Sequence, residues 1–189
     1  MLYLPDEARD VITGALHYEP PGQEIYFVAY VPNDAHIIED LLDAGHKVTI
    51  YDHHHTALHN LSALAEKHRD NPHFSFVFDE RKSGATITWA ALHPDRSPPP
   101  LLKLIEKMDL LTFDSDQERL AACYIDGYLS SPDQEENINS FRGLLGELNA
   151  KTWMDWLSRV RRNTPAICRG WKKRLPAHTA CSRQDTMSP

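Results

Sequence analysis

Cysteine is scarce in this chain and shows no pairing pattern. Cys123, Cys168 and Cys181 are three in number, far apart, and include no Cys-x-x-Cys pair. That argues against a cysteine-built zinc site and suits free thiols in a reducing cytoplasm, the expected location. Long apolar runs are absent too, none approaching the roughly 20 residues a membrane-spanning helix needs, so no membrane partner is expected. The first ten residues hold no basic region followed by an apolar stretch, so no signal peptide is expected. No internal repeat is visible. Positive charge is thin over residues 1–150, which carry net −14, while residues 151–189 carry +7. An acidic body disfavours broad non-specific binding to nucleic acid, although the basic tail could touch phosphates.

What is present is the composition of an ordinary globular chain. At 189 residues, 41% hydrophobic and 25% charged, it is long enough for one domain with an appended subdomain. A short helix-like segment, 7–16, is stopped by Pro20, Pro21 and Gly22. Residues 24–31 (EIYFVAYV) form a near-continuous apolar and aromatic run, as in a strand buried on both faces. Asn33 or Asp34 can cap a helix that places Ile37, Ile38, Leu41 and Leu42 on one stripe and stops at Gly45. A second strand, Lys47–Tyr51, leads to a helix with Leu58, Leu61, Leu64 and Ala65 inward, and Phe74–Phe78 reads as a third strand. Strand–helix–strand–helix–strand at this spacing predicts an α/β fold with a parallel sheet flanked by helices. Ser83 is a natural cap for a helix carrying Ile87, Trp89, Ala90 and Ala91. Prolines 98–100 prime a helix over 101–108 that delivers Asp109 to its end. Helical patterns then run over 120–129 and 138–148, and over Trp153, Trp156, Leu157 and Val160, whose tryptophans are read as core. The expected organisation is an α/β domain over 1–115, a helical extension over 116–163 and a poorly ordered basic tail over 164–189.

The chemistry concentrates at one strand end. Lys47 to His55 (KVTIYDHHH) runs a buried strand straight into an acid and three imidazoles. Neutral imidazole suits Mn²⁺, Zn²⁺ or Fe²⁺, and carboxylate suits Mn²⁺ or Mg²⁺. In open α/β folds the carboxyl ends of the strands are where ligands bind. Residues 48–57 (VTIYDHHHTA) resemble the signature of the DHH phosphoesterase family, which includes RecJ-type exonucleases, nanoRNase-type oligoribonucleases, cyclic dinucleotide phosphodiesterases and family II inorganic pyrophosphatases. Residues 78–89 (FDERKSGATITW) resemble the Ser-Gly-Ala helix start of many members. Residues 105–113 (IEKMDLLTF) resemble the segment carrying a later aspartate, so the likeness spans roughly residues 15–148.

The resemblance implies a metal-dependent hydrolase that cleaves a phosphodiester or phosphoanhydride in a nucleotide or short oligonucleotide. Carried over by position, it makes His53 and Asp109 metal ligands and places Asp52 behind His53. His54 would face the substrate phosphate, with Ser83 and the N–H groups of Gly84 and Ala85 as phosphate binders. The implied cofactor is Mn²⁺ (or Mg²⁺), one ion being what two ligands hold. The family's first motif, an Asp-rich turn, has no counterpart in Met1–His17, and Ala29 stands where the second-motif aspartate would end the first strand. The glycine- and histidine-rich C-terminal substrate domain is also absent. These departures support a second reading, a catalytically impaired or truncated DHH-type domain that binds a phosphate ligand or a protein; an upstream continuation of the gene would restore the missing motif. A third reading is a mononuclear zinc or nickel site built from His53, His54, His55 and His59. A short sheet edge also invites a homodimer.

Overall fold

The computed structural model describes residues 20–32, 34–129, 131 and 133–150, together with Ile12, Gly14, Asp155, Trp156, Ser158 and Val160. Most of the expected 7–16 helix, Asn33, Trp153, Leu157 and the 164–189 tail lie outside the described residues. The chain falls into two compact units, residues 1–98 and 99–189.

In the first unit, Lys47–Asp52 is β2, the central strand of a three-stranded sheet ordered β1-β2-β3, with β1 at Glu24–Val28 and β3 at Phe74–Phe78. Both pairings are parallel, and the register sets Val28 beside Tyr51 and Asp52 beside Phe78. Three helices accompany the strands: α1 (His36–Asp43), α2 (His55–Lys67) and α3 (Gly84–Leu92). The expected parallel α/β arrangement is therefore present, with further helices following it. Period-2 alternation in β2 turns Val48 and Ile50 to one face. There they pack with Phe27, with Ile38 and Leu41 of α1, and with Leu61 and Leu64 of α2. Burying each such side chain contributes roughly 1.5–3 kcal/mol. Gly45, at φ +84°, ends α1 in the left-handed region that glycine adopts freely.

Two local departures from the sequence expectation have physical causes. The first strand ends at Val28 rather than Val31, because Ala29 turns to φ +51° while its N–H still donates to the Tyr51 carbonyl at 2.9 Å. A left-handed alanine costs about 1–2 kcal/mol. It stands against the start of α3, where a Cβ on Gly84 would lie 2.7 Å from the Ala29 Cβ and 2.8 Å from its backbone nitrogen. The second departure is Leu58, expected inward but 38% exposed. Because α2 starts at His55, its buried stripe runs through Ala57, Leu61 and Leu64.

The second unit contains α4 (Pro100–Asp109), α5 (Asp116–Tyr128) and α6 (Gln134–Ala150). Leu101, Leu104, Ala122, Ile125, Leu144, Trp156 and Val160 share its core. Trp156 meets Tyr124 edge-on with ring centroids 6.0 Å apart, which is core packing. Ser115 caps α5 by accepting the Glu118 N–H at 3.2 Å.

Candidate metal centre

Asp52 is the last residue of β2 and is 1% exposed. Its Oδ1 accepts the backbone N–H of His53 at 2.6 Å and that of His54 at 2.9 Å. The same oxygen lies 2.8 Å from His54 Nδ1. A carboxylate oxygen that accepts two N–H groups accepts from the ring as well, so Nδ1 carries a proton, and in the neutral ring the lone pair is then on Nε2. This is the carboxylate–histidine pairing that fixes the tautomer and aim of metal-binding and catalytic imidazoles.

The backbone explains why the turn forms. His54 has extended φ −77° and ψ 129° as the N-cap of α2, and its carbonyl accepts the N–H of Ala57 at 3.0 Å. With no side-chain cap of its own, the helix start is held from behind by Asp52, which satisfies the two N–H groups just before it. His53 is nearly buried, whereas the His54 side chain is 51% exposed. Their rings stand 4.1 Å apart at 34°. Asp52, His53 and His54 each offer a ligand atom within 4.8 Å of the others, a cluster capable of coordinating a metal ion. Imidazole nitrogen with carboxylate oxygen suits a divalent first-row ion. The buried carboxylate orienting an imidazole is an observed feature of this site that fits such an ion.

A cleft of about 640 Å³ opens beside the cluster, lined among others by Ala29, Tyr30, Asp52, His54, His55 and His59. It sits at the carboxyl ends of β1 and β2, where the α/β pattern places ligands. Asp52 stands behind His54, while His53 Nδ1 is 4.0 Å from the same oxygen. The Ser83 hydroxyl works as the N-cap of α3, accepting the Thr86 N–H at 3.2 Å, and is itself buried. Gly84 packs against Ala29, and Ser83, Gly84 and Ala85 are not among the residues lining the cleft. Asp109 is the exposed last residue of α4, in the second unit.

One partner was not visible in the sequence. Glu80 Oε2 lies 3.1 Å from His55 Nε2. The register that sets Asp52 beside Phe78 carries the two chain ends out of the sheet together, so residue 80 reaches residue 55. In the same turn the Arg81 N–H donates to Asp79 Oδ1 at 3.0 Å and holds that carboxyl below the usual carboxylate range.

Comparison with protein-family models, with curated proteins and with solved structures gives no match. Among the described residues no helix is long and apolar enough to cross a membrane.

Proposed function

We propose that Asp52, His53 and His54 form the divalent-metal centre of a DHH-type phosphoesterase domain. Its substrate would be a phosphodiester or phosphoanhydride of a nucleotide or short oligonucleotide, and its ion Mn²⁺ or Mg²⁺. One observation carries this reading: a buried strand-end carboxylate that orders two backbone N–H groups and one imidazole beside an open cleft. His53, the more enclosed ring, would hold the ion. His54 faces the cleft, and with Nδ1 tied to Asp52 its Nε2 can take up a proton and donate it to a phosphoryl oxygen. The ion, when bound, supplies Lewis acidity and an acidified water. Asp109 as a further ligand, and Ser83, Gly84 and Ala85 as phosphate binders, rest on the sequence resemblance alone. Cytoplasmic location belongs to the same reading. A homodimer is supported by β1 and β3, which have no outer neighbour among the described residues.

A second reading, a domain that binds a phosphate ligand or protein without turnover, is favoured by Ala29. The end of β1 brings a methyl group to the cleft where a carboxylate would add a ligand. Calorimetric Mn²⁺ titration with assays on short oligonucleotides and a generic phosphodiester separates the two. Stoichiometric uptake and hydrolysis, both lost in His53→Ala and Asp109→Ala, support the hydrolase. Uptake without hydrolysis supports the binding domain, and no uptake at millimolar Mn²⁺ defeats the metal centre.

A further inference from the structure

Four of the 11 histidines fall within residues 53–59, and the cluster at the strand end uses two of them. The other two, His55 and His59, are four residues apart on α2 and both line the cleft. Four-residue spacing sets two helical side chains on one face, one turn apart, with Cβ atoms roughly 5–6 Å from each other. A helical His-x-x-x-His pair is the arrangement by which one helix presents two imidazoles to a single zinc ion.

Glu80 supplies the third donor from a different element, the turn after β3. Its Oε2 stands 3.1 Å from His55 Nε2. Nitrogen and oxygen ligands bind Zn²⁺ at about 2.0–2.2 Å, so two of them in a tetrahedral site lie about 3.4 Å apart. The pair is thus within a few tenths of an ångström of ligand–ligand spacing. The cations next to Glu80 are directed elsewhere, since Arg81 Nε and Lys82 Nζ each pair with Asp79 at 3.4 Å. The His55 and Glu80 side chains are 77% and 56% exposed, so both can turn toward His59 when an ion binds.

We propose that His55, His59 and Glu80 form a second cation site that takes Zn²⁺. Two imidazoles and one carboxylate make the His₂Glu donor set of zinc sites that keep a fourth position for water or ligand. Thr56 follows His55, so the general-base glutamate of helical His-Glu-x-x-His hydrolases is missing here. The site accordingly binds the ion and offers its fourth position to an oxygen donor in the cleft. It uses none of the residues of the Asp52–His53–His54 centre and stands or falls independently of it.

Zn²⁺ alone, in competition with a chromophoric chelator, is the probe, with helical circular dichroism to confirm folding. In a His53→Ala/His54→Ala background, one equivalent of Zn²⁺ is still taken up. Adding His59→Ala there weakens it at least tenfold, and Glu80→Gln weakens it about tenfold. In the otherwise native chain, His55→Asn/His59→Asn lowers the Zn²⁺ stoichiometry by one equivalent. The assignment is overturned if the first background takes up no zinc while folded, or if its uptake ignores His59→Ala. An unchanged stoichiometry in His55→Asn/His59→Asn overturns it equally.

Discussion

Replacing Asp52 by alanine perturbs the site and the fold together. The carboxylate accepts from two backbone N–H groups and one imidazole, at 2.6, 2.9 and 2.8 Å, and is 1% exposed. A hydrogen bond to a charged group contributes roughly 1.5–3 kcal/mol, and an orphaned buried donor costs roughly 1–3 kcal/mol. The His54 ring is half exposed and recovers a water partner, so the main loss comes from the two backbone donors at the start of α2. Asp52→Ala is therefore expected to destabilise by about 3–4 kcal/mol, a large share of the 5–15 kcal/mol typical of a whole domain. Asp52→Asn keeps an accepting oxygen without the charge and is expected to lose about half as much. Urea unfolding read by circular dichroism measures both, as a lower midpoint at unchanged slope. Turnover by the folded Asn variant should fall roughly 10–100-fold as the His54 tautomer is released. An alanine variant within about 0.5 kcal/mol of wild type, the range of ordinary surface changes, would falsify the view that Asp52 organises this turn.

Other expected outcomes follow from single contacts. Gly84→Ala puts a Cβ 2.7–3.0 Å from Ala29 backbone and side-chain atoms, and is expected to lower stability by about 1–3 kcal/mol; Ala29→Gly should restore only part of this in the double variant, since the backbone contacts remain. Ala29→Gly alone relieves the φ +51° strain against the entropy of glycine, so its thermal midpoint should stay level or rise. Ser83→Ala removes the cap of α3 and should cost about 1–2 kcal/mol by urea unfolding. Glu39 of α1 is held below its ordinary carboxyl range by hydrogen bonds from Lys67 and His36. A depressed carboxyl adds stability above its unfolded pKa and loses it as pH falls through the folded one. The acid limb of the urea midpoint against pH should therefore be shallower in Glu39→Gln than in wild type.

Sequence pattern made the sheet legible because the three apolar runs are short, bounded by Pro, Gly or Asp, and separated by helical stripes. Phe74–Phe78 emerges with its expected ends, and β2 exceeds its own by one residue. The early end of β1 was hidden, since nothing in YFVAYV says that Ala29 will turn left-handed. That turn belongs to the close approach of Gly84, a contact between residues 55 positions apart. Asp34, a cap candidate in the sequence, accepts the His36 N–H at 3.0 Å, one residue ahead of the N-cap Ala35. At the site, the residue types and their clustering were readable from KVTIYDHHH, but the pairing within it was not. Which histidine Asp52 holds depends on the dihedral turn between β2 and α2, and that turn selects His54. Glu80 beside His55 follows from strand register, which one-dimensional spacing does not carry.

Mn²⁺ binding to wild type and to His53→Ala, measured side by side by calorimetry on folded protein, tests the metal centre most directly. With Asp52, His53 and His54 as the centre, wild type takes up stoichiometric Mn²⁺ and the variant loses it while its helical signal stays. Equal Mn²⁺ uptake by the two proteins would contradict that centre, as would no uptake by either.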